Sequence, residues 1–189
     1  MTTVAYRNGR LAADTLHCIA GMKANHSKIS RCEDKEGREY LIASAGNVSD
    51  CAALEQWYKN GAVGTPQYTL FNDDVPTASA LIVHEDGRVL YVDAYGHEIS
   101  IQPHDFFAIG SGATVAMGAM HAGATAVKAV EIAIMVDMST GGTVDCQTVD
   151  PRHSPVADEH QHDARNGTRD NPAKPESPDH ASDQRHKEE

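Results

Sequence analysis

The first residues, MTTVAYRNGRLAADT, place a threonine directly after the initiator methionine. A small side chain at position 2 permits removal of Met1, so we expect the mature chain to begin at Thr2 with a free α-amino group. Such a residue carries a hydroxyl nucleophile and a base together. The amine has an unperturbed pKa of roughly 7.7 to 8, so part of it is neutral near neutral pH. Thr2 is therefore a candidate nucleophile, although many proteins without this chemistry begin in the same way.

Other residues that could assist a nucleophile lie where predicted strands and helices begin or end. Asp14 ends the second strand, Lys28 starts the third, and Gly46 ends the fourth. Ser111 lies between a strand and a helix, and Asp137 opens DMSTGG. Each also fits an ordinary role: a turn residue, a solvated strand end, a strand-to-helix turn, a helix cap or a helix-terminal charge. Together with the N-terminal threonine they form a pattern.

Turn-forming dipeptides indicate the strands that position these residues. TVAYR and RLAADT flank Asn8-Gly9, and ALIVHE and RVLYVDA flank Asp86-Gly87. Both dipeptides favour the primed two-residue turns that close hairpins. A third hairpin is predicted to join SKISRCE to REYLIASAG through residues 34–37. The sequence thus favours several antiparallel hairpins.

Helices are predicted once between the strands and again late in the chain. The first is expected to have Ser49 or Asp50 as its N-cap, to carry CAALEQWYKN and to end at Gly61. GATVAMGAMHAG follows later, and then ATAVKAVEIAIMVDM, whose apolar run over residues 126–136 only Lys128 and Glu131 interrupt. A helix apolar on nearly all sides must be covered on more than one face. Hairpins and central helices together indicate an α+β sandwich of layers.

Composition excludes several classes of protein. The net charge of −11 argues against a nucleic-acid partner, which requires a basic face. No stretch approaches the roughly 18 to 20 apolar residues of a membrane span, and no signal peptide is recognisable. The four cysteines lack a Cys-x-x-Cys pair or zinc-like spacing, which fits reduced thiols. We therefore expect a soluble, cytoplasmic protein that binds neither membrane nor nucleic acid.

The composition changes sharply near Asp150. Residues 150–189 have almost no aliphatic and no aromatic side chains, so burial cannot offset their chain entropy. We predict one domain over residues 1–149 and a disordered, acidic, His/Pro-rich tail over 150–189. A solvated tail is favoured over a metal site for its five histidines: His153, His160, His162, His180 and His186.

Six features occur in a fixed order along residues 2–149. They are Thr2-Thr3-Val4-Ala5, Asp14, Lys28-Ile29, Ala45-Gly46 with Asp50, Gly110-Ser111-Gly112 with Met117-Gly118, and Asp137 with Thr140-Gly141-Gly142. In this order they resemble the N-terminal nucleophile (Ntn) hydrolases of the proteasome β-subunit class, including the bacterial HslV-type peptidase. The resemblance implies a four-layer αββα sandwich of antiparallel sheets with flanking helices.

The resemblance also implies a catalytic role for each residue. Thr2 would be the nucleophile, and the Lys28 ammonium would lower the pKa of its amine and favour the developing alkoxide. Asp14 would keep Lys28 charged and in place, and the backbone N–H of Gly46 would stabilise the oxyanion. Three further residues would hydrogen-bond the amine and a water that shuttles protons. They are Ser111, Asp137 and Thr140. No cofactor and no metal is implied.

The segment TLHCIAGMKANHS, between Asp14 and Lys28, departs from the family pattern. It lacks the Arg or Gln and the Thr that relatives carry there, and it is about two residues shorter than in HslV. Alignment predicts a partly polar first specificity pocket lined by His17, His26, Ser30, Ala45 and Val48. The core also ends soon after VDCQTVD, where relatives continue into one more strand. Either that strand is missing or part of the tail supplies it.

The function that the resemblance implies is a threonine-type endopeptidase. It would cleave unfolded polypeptides inside homo-oligomeric stacked rings, fed by a separate ATP-dependent unfoldase. A noncatalytic, ring-forming structural subunit is the alternative, and a small-amide hydrolase is a third interpretation. The intact catalytic set favours the peptidase over the noncatalytic subunit. The absence of large insertions in the core disfavours the small-amide hydrolase.

Overall fold

The computed structural model describes residues 2–19, 21–68 and 75–149, and in these residues strands and helices follow one another along the chain. The predicted tail, residues 150–189, lies outside the described residues, as does any strand after β11. The elements are β1 Thr3–Arg7, β2 Arg10–Asp14, β3 Leu16–Ile19, β4 Met22–Asn25, β5 Ile29–Glu33, β6 Glu39–Ala45, α1 Val48–Lys59, β7 Ser79–His84, β8 Val89–Val92, β9 Glu98–Ile101, β10 Phe106–Gly110, α2 Ala113–His121, α3 Ala126–Val136 and β11 Val144–Thr148.

One antiparallel sheet has the strand order β10-β1-β2-β11. The Asn8-Gly9 turn joins β1 to β2, and both residues have positive φ, 50° and 74°, as a primed two-residue turn requires. This prediction is confirmed. The pairing of β1 with β10 sets Thr3 opposite Gly110, so the N-terminus lies beside the turn that carries Ser111.

The second antiparallel sheet has the order β5-β6-β7-β8-β9. The predicted hairpin through residues 34–37 is present between β5 and β6. The hairpin at Asp86-Gly87 is present too, but its predicted primed turn is wrong. Only Gly87 of the two has positive φ, and His84 N–H donates to Arg88 O at 2.9 Å. This longer loop, with a left-handed glycine after a type I turn, is the next commonest hairpin connection.

The segment between β2 and β5 forms a small hairpin of its own, in which β3 pairs only with β4 among the described residues. The sequence did not predict these strands. Every residue of β4 is exposed, so no alternation of polar and apolar residues marks it. The hairpin places His17 and His26 near the N-terminus of the chain.

Helix α1 begins earlier than predicted. Its N-cap is Asn47, whose side chain accepts a hydrogen bond from Ser49 N–H, so neither Ser49 nor Asp50 caps it. Asp50 lies in the first turn instead and accepts a hydrogen bond from Thr77 N–H at 3.1 Å. The helix ends before Gly61, which has a φ of +94°. The predicted C-terminal end is therefore confirmed.

Three apolar clusters hold the elements together. The first joins the facing sides of the two sheets, for example Val4 and Leu11 with Leu41 and Leu81. The second joins the other side of the four-stranded sheet, through alanines of β1 and β2, to helices α2 and α3. The third joins the other side of the five-stranded sheet to Leu54 of α1. The fold is thus α+β, with antiparallel sheets and helices that pack against them.

Helix α3 is covered less completely than its sequence predicts. Its small residues pack inward, and Ala129, Val130 and Ala133 are fully buried. Met135 and Val136 are nevertheless 71% and 63% exposed in the single chain. No helix among the described residues has the length and apolar character needed to cross a bilayer.

Candidate active site

The backbone of Thr2 is fixed by the strand pairing of β1 with β10. Ser111 N–H donates to Thr2 O at 2.9 Å, just beyond the last residue pair of the two strands. A Cβ at Gly110 would lie only 1.8 Å from Thr2 O, so only glycine allows this approach. Thr2 is 9% exposed. The N-terminal threonine is therefore held in a defined, largely buried position.

A buried ion pair lies next to this N-terminal strand. Lys28 Nζ is 2.9 Å from Asp14 Oδ1, and the two side chains are 4% and 0% exposed. Burial lowers the pKa of Lys28, and the Asp14 carboxylate opposes that shift. Lys28 and Thr2 line the same cleft. The pair thus brings a positive charge to the wall of the cleft that contains Thr2.

Backbone N–H groups supply the remaining hydrogen bonds to the Asp14 carboxylate. Thr3 N–H donates to Oδ1 at 2.8 Å, while Gly141 N–H and Leu16 N–H donate to Oδ2 at 3.1 and 3.3 Å. A buried carboxylate needs such donors, because an unpaired buried charge is costly. The Asp14 carboxylate therefore binds the start of β1, the loop after α3 and the Lys28 side chain.

The three residues predicted to assist the amine form a hydrogen-bonded chain. The hydroxyls of Ser111 and Thr140 both donate to Asp137 Oδ2 at 2.6 Å. These hydrogen bonds lower the pKa of the Asp137 carboxyl. The Thr140 hydroxyl also lies 2.6 Å from that of Thr3. Asp137 is the C-cap of α3 and Ser111 follows β10, so two distant elements place these side chains beside β1.

Gly46 occupies a turn that no other residue type fits. Its φ is +144°, and a Cβ there would lie 2.5 Å from Thr77 O and 2.8 Å from Ala78 Cα. These are backbone atoms of the segment entering β7, so they cannot move aside as a flexible side chain could. Gly46 lines the cleft together with Thr2 and Lys28.

The cleft around Thr2 has a volume of about 360 Å³. The β3–β4 segment, the start of β5, the end of β6 and the first turns of α1 provide its described lining. Burial and the nearby Lys28 charge lower the pKa of His17, and Nε2 of this residue is buried without a hydrogen-bond partner among the described residues. The lining combines hydroxyls, thiols, imidazoles and one carboxylate: Thr2, Leu16, His17, Cys18, His26, Ser27, Lys28, Ser30, Ser44, Gly46, Val48, Cys51, Ala52 and Glu55.

Four of the five residues predicted for the specificity pocket line this cleft, namely His17, His26, Ser30 and Val48. Ala45 does not. Its side chain is 3% exposed and belongs to the cluster between the sheets. Successive side chains of a strand point to opposite faces, and in β6 it is Ser44, not Ala45, that contributes to the cleft.

Sequence reasoning missed two kinds of residue at this site. Thr3 was read only as part of a motif, yet its N–H and hydroxyl connect Asp14 to Thr140. The feature of the sequence that could have identified Thr3 is a polar residue at the first position of a strand that is otherwise buried. Ser44 and Glu55 also line the cleft. They gave no signal, because only the packing of α1 on β6 brings them together.

In the part of the chain that the structure describes, no group of three or more His, Cys, Asp or Glu residues is placed to hold a metal. Hydroxyl, ammonium and carboxylate groups such as those around Thr2 are groups that can activate a hydroxyl nucleophile.

Solved structures with the same fold are numerous, although the sequence matches no protein-family model and no curated protein. BPH from Thiobacillus denitrificans is 23% identical, with a TM-score of 0.55, and the match covers 79% of this chain and 98% of that one. A structure of the same protein in complex with epoxomicin matches at 22% identity and a TM-score of 0.54, covering 79% of this chain and 99% of that one.

Two further similar structures are those of an HslV and an Anbu protein. HslV from Trypanosoma brucei is 21% identical, with a TM-score of 0.53 and coverage of 77% of this chain and 97% of that one. Anbu, an ancestral beta-subunit, from Yersinia bercovieri is 15% identical, with a TM-score of 0.60 and coverage of 80% and 83%. The resemblance that the sequence motifs predict is thereby confirmed in the structure: this chain has the fold of the HslV and Anbu proteins.

Proposed function

We propose that this chain is a threonine-type endopeptidase whose nucleophile is Thr2 after removal of Met1. The observation that carries the proposal is the position of Thr2. Its carbonyl is anchored by Ser111 N–H, and it shares a cleft with Lys28, which is paired to Asp14. The fold similarity to HslV and to an epoxomicin-bound protein supports the same assignment.

The chemistry proposed for the site uses only groups of this chain. The neutral α-amine takes the proton of the Thr2 hydroxyl, directly or through a water held by the Ser111–Asp137–Thr140 chain, and the oxygen attacks the peptide carbonyl carbon. The Lys28 ammonium favours both the neutral amine and the alkoxide. The leaving amine receives the proton, and water then hydrolyses the acyl-enzyme ester.

The Gly46 N–H is the proposed oxyanion donor. Loss of one such donor typically costs about 2.7 to 4 kcal/mol of transition-state stabilisation. Gly46 lines the cleft, and the packing of its turn against Thr77 and Ala78 requires a glycine there. The backbone geometry therefore provides a donor whose position does not depend on a flexible side chain.

The larger organisation is part of the proposal. Residues 1–149 form one Ntn-hydrolase domain, a four-layer αββα sandwich, with residues 150–189 as its appended tail. Copies of the chain assemble into stacked rings in the cytoplasm that enclose the active sites, and a separate ATP-dependent unfoldase supplies unfolded polypeptides. Enclosure suits a peptidase of broad specificity, because it restricts entry of folded proteins.

The noncatalytic ring-forming subunit remains the alternative function. The similar structures are at most 23% identical to this chain, so they support the fold and do not decide between the two functions. The buried Lys28–Asp14 pair favours the peptidase, since a purely structural subunit has no need of that charge beside its N-terminus.

Hydrolysis of an unfolded polypeptide by matched variants tests the proposal. Thr2→Ala is expected to abolish cleavage, because it removes the nucleophile, whereas Thr2→Ser keeps a hydroxyl and should retain measurable cleavage. Lys28→Ala should lose nearly all activity. Circular dichroism and light scattering check that folding and assembly are intact. Cleavage by Thr2→Ala at the wild-type rate would contradict the proposal.

A further inference from the structure

The cleft at Thr2 contains a carboxylate that the proposed catalytic steps do not use. Glu55, in the second half of α1, lines the cleft together with Val48 and Cys51 of the same helix. It is the only described lining residue with a carboxyl side chain. A carboxylate in the wall of a binding cleft is a recognition group for cations.

A hydroxyl of the neighbouring sheet holds this carboxylate in place. The Ser44 hydroxyl donates to Glu55 Oε1 at 2.5 Å, and Ser44 itself is only 8% exposed. The other oxygen, Oε2, lies 3.6 Å from the Lys59 ammonium, whose side chain is 36% exposed. The Lys59 contact is longer than a hydrogen bond and partly solvated, so it neutralises Glu55 only weakly. Glu55 Oε2 can therefore accept a second cation.

Among the described residues, no ionisable group of the cleft lining forms a hydrogen bond or an ion pair with Glu55. Lys28 is paired to Asp14. Burial lowers the pKa of His17 and raises the pKa of the Cys51 thiol, so both groups favour their neutral forms. His26 is the remaining imidazole of the lining. A cleft with these groups is complementary to a positively charged side chain.

We propose that Glu55, positioned by Ser44, gives this cleft a preference for lysine or arginine at the residue whose carbonyl Thr2 attacks. The preference rests on the proposed peptidase function and names the substrate class of that site. A volume of about 360 Å³ admits a long basic side chain. The aliphatic part of that side chain would contact Val48 and Ala52, and its charge would reach Glu55.

Two peptide epoxyketones that differ only in the residue next to the reactive group provide the test. One carries lysine and the other norleucine, which has the same aliphatic chain without the charge. The measured quantity is the ratio of the second-order rates at which they modify Thr2, followed by intact mass. For the wild-type chain the lysine compound is expected to react about tenfold faster or more, because a charge-assisted hydrogen bond is gained.

The variant Glu55→Gln keeps an acceptor for Ser44 but removes the charge, and it should bring the ratio close to one. Ser44→Ala should reduce the ratio to an intermediate value, because the carboxylate loses its fixed position. Glu131→Gln, which removes an exposed charge on α3, is the matched control and should leave the ratio unchanged.

The outcomes distinguish the proposed role of Glu55 from the proposed peptidase function. Modification of Thr2 by both compounds at equal rates, or a lysine preference that survives in Glu55→Gln, would overturn the role of Glu55 and leave the nucleophile established. Failure of both compounds to modify Thr2 would overturn the peptidase function itself, and the substrate preference with it.

Discussion

At the scale of residues, the Lys28–Asp14 pair is the least expected feature of a merely structural domain. A buried ion pair contributes little net stability, since desolvation offsets most of its attraction, and an apolar pair of similar volume often does as well. This pair is nonetheless buried, and three backbone N–H groups support its carboxylate. A chemical use for the Lys28 charge at Thr2 accounts for both observations.

The lowered pKa of Lys28 predicts how activity changes with pH. Burial is the main cause of the shift from the ordinary value of 10.5. Peptidase activity should therefore rise as the Thr2 amine loses its proton and fall again, at a pH below 10.5, as Lys28 loses its own. A pH–rate profile measured with a neutral peptide substrate checks this.

The same shift predicts that deprotonation of Lys28 does not itself unfold the chain. Between the two pKa values the unfolded chain binds the Lys28 proton and the folded chain does not, so this group favours the folded state more strongly as pH rises. Thermal melts across the same pH range are the control. Full activity up to pH 10.5 would contradict the role given to Lys28.

At the scale of elements, the turn between β6 and α1 carries the most constrained glycine of the cleft. Gly46→Ala is expected to destabilise the fold by about 1 to 3 kcal/mol through backbone strain, and to reduce activity further, because the Gly46 N–H would be displaced. The clash partners are backbone atoms of Thr77 and Ala78, which leaves little room for relaxation. Chemical denaturation and peptide hydrolysis measure the two effects.

Gly118→Ala is the matched control for that substitution. Gly118 lies within α2, and a Cβ there would meet no atom within 4 Å. This change should stabilise the chain by about 0.5 to 1 kcal/mol, the ordinary helix preference for alanine over glycine. Equal tolerance of the two substitutions would show that the geometry at Gly46 is not required.

The elements differ in how well their sequences predicted them. Asn8-Gly9 predicted its turn because two positive φ angles select those residue types, whereas Asp86-Gly87 is compatible with two kinds of turn. The β3–β4 hairpin was missed, since the exposed strand β4 has no buried face to leave a periodic pattern. Glu55 was missed because a charged residue within a helix ordinarily indicates a solvated face. Its contact with Ser44 exists only in the tertiary structure.

At the scale of the whole molecule, the apolar residues at the end of α3 are unusual for an isolated chain. Met135, Val136 and Met138 are 71%, 63% and 99% exposed. Large apolar side chains that are exposed together commonly mark an interface. Within the proposed ring, a neighbouring copy of the chain would cover them.

Substitution at this surface should weaken assembly without unfolding the subunit. Met138→Glu is expected to raise the subunit dissociation constant about tenfold or more, because burial of a methionine side chain is worth roughly 1.5 to 3 kcal/mol. Lys128→Ala, at a polar position of helix α3, is the control. Light scattering at several protein concentrations measures the assembly. An unchanged oligomer in Met138→Glu would exclude this surface from the interface.

The most direct test of Thr2 as the nucleophile is an intact mass of the purified chain before and after incubation with two peptide epoxyketones, epoxomicin and the lysine compound. The peptidase hypothesis predicts a chain that lacks Met1 and gains one inhibitor mass, and a Thr2→Ala variant that gains none. A chain that retains Met1, or one that begins at Thr2 and takes up no inhibitor, would contradict it and favour the noncatalytic ring subunit.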